Sequence, residues 1–294
     1  MTSYAFVIRN SSFVTHMDSL PKRFFSRLSP LVDQGGTEGE RPELPILQVE
    51  ELNVAFGANT VLRDINFSIR RGESVAIIGG SGCGKTVLLK TLIRLLVPAS
   101  GRVIFDGVDL AGLSYFDLAR QQTRYGFVFQ QAALFDSMTV GENIAFPLRQ
   151  HNRKSNAEVQ EIVHRLLHEV GLAEETATKK PGELSGGMRK RVGFARALAM
   201  EPELILYDEP TTGLDPVMSG VINELMIETH KQHDVTSIMV THDMKSACSV
   251  AERIIMLFPV PQLDEGEPQI IFDGTVEEIR RANDPRVKQF LGAC

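Results

Sequence analysis

The sequence predicts an α/β protein with a mostly parallel sheet covered by helices, and three observations carry that prediction. An apolar run, Ser74-Val75-Ala76-Ile77-Ile78, leads through a glycine-rich stretch into Val87-Leu88-Leu89-Lys90-Thr91-Leu92-Ile93, whose apolar spacing is helical. Two further apolar runs, 204–207 and 236–240, each stop abruptly at polar or charged residues. Most of the candidate residues fall at strand carboxyl ends, which is where open α/β sheets bind ligands.

The stretch between the first strand and helix is Gly79, Gly80, Ser81, Gly82, Cys83, Gly84, Lys85 and Thr86. Strand, glycine loop, Lys-Thr and helix is the order that a phosphate-binding loop requires. Its glycines permit backbone conformations that turn several N–H groups toward one anion, and the helix N-terminus adds partial positive charge. Lys85 is placed to reach terminal phosphates, and the Thr86 hydroxyl to ligate Mg²⁺. With Gly at about 7% of residues, the four fixed positions arise by accident in about one such chain in a hundred.

Composition sets the outer bounds. The 294 residues, 43% hydrophobic, are enough for one large or two small domains with ample core. A net charge of −6 argues against a surface that coats nucleic acid. No uninterrupted apolar run approaches the ~18 residues of a membrane span, so a soluble chain is expected. Cys83, Cys248 and Cys294 are unclustered and form neither a zinc nor a disulfide framework. Cys83 lies inside the phosphate loop, so inhibition by oxidants through its thiol is an expectation.

Along the chain, residues 1–45 are rich in Ser, Pro and Gly and read as a flexible extension. Up to Val32 one acid, Asp18, stands against Arg9, Lys22, Arg23 and Arg27. Transit-peptide character, contact with an anionic membrane face and a true start at Met17 remain open alternatives. The folded body begins near Ile46. Residues 47–54 alternate as a strand, and 61–69 form another after a Gly57-Ala58-Asn59 turn. Phe56 lies between them, as a core aromatic or as a stacking face for a base. Residues 101–107 read as strand and turn, and Gly126-Phe127-Val128-Phe129 as a strand running into Gln130, which is placed to meet a metal or water. From Ala132 to about Gly182 the pattern turns helical, suggesting an inserted subdomain. Ser185, Gly186 and Gly187 open the next helix as a second anion site or a solvated cap. Residues 204–209 are a strand ending in Asp208 and Glu209. Asp208 suits a Mg²⁺ shell and Glu209 suits orienting a water. Gly213-Leu214-Asp215-Pro216 is a tight turn, and the last apolar strand ends at His242.

This ordered set resembles the ATP-binding cassette (ABC) ATPase family across about residues 46–282. Residues 79–86 resemble its Walker A loop, Phe56 its adenine-stacking aromatic and Gln130 its Q-loop. Leu184-Ser185-Gly186-Gly187-Met188 is similar to the ABC signature, 204–209 to Walker B, Asp215 to the D-loop acid and His242 to the switch histidine. Phe56 replaces the commoner Tyr, and Met188 stands where Gln is usual. Within the family, Ser185-Gly186-Gly187-Met188 with its following basic residues, 133–140, 143–148 and the tail 284–291 are most similar to the ATPase of MCE-protein, Mla-type lipid transporters. The sequence closes at Cys294 directly after that tail, so no longer C-terminal extension for dimer contacts is expected.

The resemblance implies a P-loop NTPase core with an N-terminal antiparallel β-subdomain and an inserted α-helical subdomain at about 132–190. A short C-terminal helix at 283–294 is expected beyond the ATPase domain. It implies ATP and Mg²⁺ as ligands, with Thr86, Gln130 and Asp208 around the metal. Two copies would sandwich two ATP molecules, the Walker A loop of one facing Ser185, Gly186 and Gly187 of the other. Glu209 would polarise water, His242 would hold the γ-phosphate and water in register, and Lys85 and Gln130 would complete the catalytic set. The implied partners are an integral membrane permease and an MCE-domain substrate-binding protein, with no nucleic acid. The implied location is the cytoplasmic face of the inner (plasma) membrane, or an organellar inner membrane. Amino-acid import, lipoprotein release and a non-transport ABC ATPase are the alternatives.

Overall fold

The computed structural model describes residues 45–151 and 154–292. The expected N-terminal extension lies outside the described residues except for its last position, and so do the last two residues of the tail.

Strand β1 (Leu47–Phe56) pairs antiparallel with β2 (Asn59–Ile69) and with β4 (Ser100–Phe105), and the short β5 (Val108–Asp109) completes a four-stranded sheet. The second sheet has six strands in the order β10-β9-β3-β8-β7-β6. Here β3 is Ser74–Ile78, β6 is Tyr125–Val128, β7 is Leu204–Asp208, β8 is Thr236–Thr241, β9 is Arg253–Leu257 and β10 is Ile270–Thr275. All neighbours in it are parallel except the edge pair β10 and β9. The expected parallel sheet is therefore present, and so is the antiparallel sheet at the N-terminal side.

Continuous apolar sequence follows from burial on both faces. Every residue of β3, β7 and β8 is buried. Alternate residues serve opposite sides: Val75 and Ile77 join one apolar cluster while Ala76 and Ile78 join the other. The first cluster holds the antiparallel sheet and Leu88, Leu89 and Leu92 of α1 (Lys85–Leu92). The second holds α3 (Val140–His151), α4 (Asn156–Glu169), α5 (Gly186–Leu198), α6 (Pro216–His233) and α7 (Met244–Val250). Each aliphatic side chain so buried contributes about 1.5–3 kcal/mol, which makes the central strands a stiff floor for whatever sits at their ends.

Helices α3 and α4 lie in the segment that reads as helical in the sequence. Ser155 and Glu158 form a reciprocal capping box at the start of α4. Asn143, fully buried, exchanges bonds with both backbone groups of Phe135 and donates to Thr139 O, which ties the preceding turn to α3. Helix α2 (Tyr115–Gln122) carries no clear apolar period because none of its residues is buried. The final helices, α8 (Val276–Arg280) and α9 (Pro285–Gly292), fold back onto the body, with Ile279 and Val287 at 0% exposure.

Candidate functional site

The carboxyl ends of β3, β6, β7 and β8 share one rim because the strands are parallel. A cleft of about 600 Å³ opens there, lined by Ser81, Gly82, Gly84, Lys85, Thr86, Gln130, Glu209 and His242, with Val61 and Val87. Residues from five separate sequence stretches thus meet at one place.

The loop after β3 is packed too closely for a side chain at two of its glycines. A Cβ on Gly79 would lie 2.3 Å from Leu257 O, and one on Gly84 would lie 2.7 Å from Leu62 Cδ2. Both glycines also have positive φ, 150° and 99°, so the two constraints coincide. Lys85, 8% exposed, donates from Nζ to Gly79 O (2.8 Å) and Gly80 O (3.2 Å) and stands 3.8 Å from Glu209 Oε1. The Thr86 hydroxyl donates to Asp208 Oδ1 at 2.8 Å. Burial pushes the Asp208 carboxyl up from its ordinary value, opposed by the Thr86 bond.

Glu209 occupies the left-handed region at φ 49°, a strained conformation for a non-glycine residue. Its carboxylate Oε2 is held by the Thr212 hydroxyl at 3.1 Å and lies 2.8 Å from His242 Nδ1. Its backbone N–H donates to Val240 O of β8 at 3.0 Å, which fixes the strained turn to the sheet. His242 is mostly exposed; the Nδ1 edge of its ring meets Glu209, and the residue lines the cleft.

The other expected residues lie elsewhere. Phe56, at the end of β1, is exposed and does not line the cleft. Ser185 caps α5, its hydroxyl accepting from Met188 N at 3.2 Å. Asp215 caps α6, accepting from Val217 N and Met218 N. Gly186 borders a second recess of about 390 Å³ with Gln130, Arg189, Lys190 and Gly213. Gly187 is buried against Met218. Cys83 is only 1% exposed, and burial pushes its thiol up. A buried neutral thiol is inert, so burial corrects the expectation of a reactive cysteine.

Three residues that the sequence reading passes over support the site. Lys190 of α5, buried, donates to Pro210 O (2.6 Å), Thr212 O (2.8 Å) and Glu209 O (3.4 Å). Burial lowers its ammonium from the ordinary lysine value. Arg196 donates to Ala132 O and Ala133 O, both at 2.7 Å, and so grips the turn after Gln130. The side chain is half-buried, and loss of water around its guanidinium pushes it down to about 10. Gln269 donates to Cys83 O inside the phosphate loop. Lys190 lies within the Arg189-Lys190-Arg191 run and Arg196 five residues beyond it, and nothing in that composition marks either as a donor to a buried turn.

Residues 62–212 match the family model described as "ABC transporter". The "Probable ribonucleotide transport ATP-binding protein mkl" of Mycobacterium leprae is 39% identical over 256 residues, 87% of this chain and 71% of that protein. The "Intermembrane phospholipid transport system ATP-binding protein MlaF" of Haemophilus influenzae is 37% identical over 246 residues, 84% of this chain and 90% of that protein. The ATP-binding cassette MJ0796, solved as a post-hydrolysis dimer bound to ADP and Pi, superposes with TM-score 0.69 at 32% identity, covering 78% of this chain and 98% of that one. Sequence, fold and strand-end geometry agree: the chain belongs to the ABC transporter family, as one of its ATP-hydrolysing cassettes.

Proposed function

We propose that this chain is the ATP-driven motor of a membrane lipid transporter, acting as a pair of cassettes on a permease with an MCE-domain partner. The observation that carries the catalytic reading is the grip on Glu209. A carboxylate held by Thr212 and His242, 3.8 Å from Lys85, is set to orient a water against a phosphate seated on the loop. Lys85, Gly82, Gly84 and the N-terminus of α1 supply positive potential where charge develops in phosphoryl transfer. Thr86 and Asp208 offer paired hard oxygens, one a buried carboxylate, and this donor set suits Mg²⁺. Gln130, across the same cleft, would add an amide oxygen. When bound with the nucleotide, the ion supplies charge neutralisation at the β- and γ-phosphates.

Ser185, Gly186, Gly187 and Asp215 lie outside the cleft that holds Lys85. That separation supports the reading in which they face the nucleotide of a second copy, with residues 46–282 as the ATPase domain and 132–190 as its helical subdomain. Phe56, exposed at the end of β1, stands free to stack on a base. Among the described residues no helix is long and apolar enough to cross a membrane, so a transporter role needs a spanning partner. The likeness to the ATP-binding protein of an intermembrane phospholipid transport system supports a place at the cytoplasmic face of an inner membrane.

For cargo, the MlaF relative is covered nearly end to end, which favours phospholipid over the ribonucleotide of the mkl relative's name. The Glu209→Gln chain should bind ATP normally and lose turnover by about a hundredfold or more. Turnover near wild type would remove Glu209 from the chemistry. With its permease in vesicles, ATP-dependent movement of labelled phospholipid is expected, and movement of ribonucleotide instead would overturn the lipid assignment.

A further inference from the structure

Strands β9 and β10 are antiparallel neighbours, and such pairs are usually joined by two to five residues. Here the connection runs from 258 to 269 and returns on itself, its base closed by a Phe258 N–H bond to Gln269 O at 2.9 Å. A long connection whose ends are held together is the form of an Ω-loop, and its one buried residue is Gln269. Both ends abut the phosphate loop. Leu257 O fills the space beside Gly79, and Gln269 reaches Cys83.

Gln269 is fully buried, and each side of its amide is used. Oε1 accepts from Arg63 N at 2.8 Å, while Nε2 donates to Val61 O and Cys83 O, both at 3.0 Å. One N–H on one side and two carbonyls on the other fit only this orientation of the amide. An apolar residue of similar volume would pack there but would orphan three backbone groups. The far side of the loop is anchored too. Arg286 of α9 donates to Glu267 Oε1 at 2.7 Å and stacks over the Phe258 ring at 5.0 Å. The Arg63 guanidinium donates to Glu267 O at 2.7 Å.

We propose that Gln269 is a positioning residue for nucleotide binding, and that the 258–269 loop is a brace for the phosphate loop. The peptide between Cys83 and Gly84 is planar and trans, so its C=O and N–H point in opposite directions. Holding the Cys83 carbonyl against Gln269 therefore turns the Gly84 N–H away from the brace, toward the cleft that Gly84 lines. An N–H fixed in that direction before the phosphate arrives loses no orientational freedom on binding. This rests on the nucleotide site proposed above, and concerns its affinity rather than its chemistry.

The test is Gln269→Glu, which keeps the acceptor for Arg63 N–H and removes the donor to Cys83, with Gln269→Met as a second variant free of a buried charge. Binding of MgATP to the full-length chain and steady-state turnover are measured together. The dissociation constant and KM should both rise about tenfold, with kcat changed by less than about twofold. Val163→Ala, a core truncation in α4, controls for general destabilisation and should leave nucleotide affinity unchanged. A folded Gln269→Met chain that binds MgATP within about twofold of wild type overturns the brace. Lys85→Ala separates the two ideas. If it loses affinity while both Gln269 variants keep it, the site stands and the brace is wrong; if it too binds normally, both fall.

Discussion

Asp208 shows how one buried charge can be legible in the sequence while its energetic state is not. Two acids ending an apolar strand announce a use, but the upward push on the Asp208 carboxyl arises only from its surroundings. A carboxyl raised above its unfolded value stabilises the fold while protonated and loses that contribution as pH rises through the folded value. At neutral pH the ionised form is therefore a cost that a bound cation would offset. Asp208→Asn should raise the melting temperature in chelator and abolish the stabilisation that Mg²⁺ with nucleotide brings, as read by thermal unfolding with and without the ion. Lys190 lies at the other extreme, invisible in sequence because a lysine in a basic helix reads as solvated. Lys190→Met would leave the carbonyls of Pro210 and Thr212 without their donor beside Glu209. A fall in kcat of about tenfold or more with KM little changed is expected from steady-state kinetics. Cys83 makes the complementary point. In the folded chain its labelling by a thiol reagent should be much slower than that of the half-buried Cys248, and should speed up on denaturation.

Among elements, those with a strong period or a strand-end motif were legible: β3, α1, β7, β8 and the capped α4. The edge pair β9 and β10 was not. Its connection is far longer than a hairpin turn, and β10 is only partly buried, so no alternation marks it. The clasp between the two sheets was equally hidden, because its members come from four turns. Arg124 donates to Glu203 at 2.6 and 2.8 Å, pairs with Asp106 and lies over Phe105, while Arg71 joins the same two acids. Arg124→Met should cost about 1–2 kcal/mol, less at high salt, measured by denaturant unfolding. The tie at α9 has its own pH window. The Arg286 pair lowers the Asp284 carboxyl to about 2, so its contribution is present above the unfolded value near 3.8 and is lost as pH falls toward 2. Protease protection of α9 should hold from pH 5 to 9 and weaken below about pH 4.

For the whole molecule, the expected α/β architecture and the cleft residues from four strands were readable because parallel topology sends every strand end to one rim. The separation of Ser185 and Asp215 from that cleft was readable only through family likeness, since nothing local says which copy a cap will serve. If two copies share each nucleotide, the Glu209→Gln chain should become a dimer with MgATP and return to monomer without it, as measured by light scattering. Ser185→Arg should block that dimer while leaving MgATP affinity of the monomer within about twofold.

The turn after Gln130 carries a last consequence. Ala132 and Ala133 are consecutive residues at φ 59° and 46°, a conformation costing about 1–2 kcal/mol apiece, and the Arg196 guanidinium clamps their two carbonyls. A cocked latch of this kind releases with little further energy once its clamp moves. Because the clamp sits on α5, the helix that Ser185 caps, any movement of that helix would act directly on the turn beside Gln130. Relaxing the exposed Ala133 to Gly should stabilise the resting protein by about 1 kcal/mol while blunting its mechanical response.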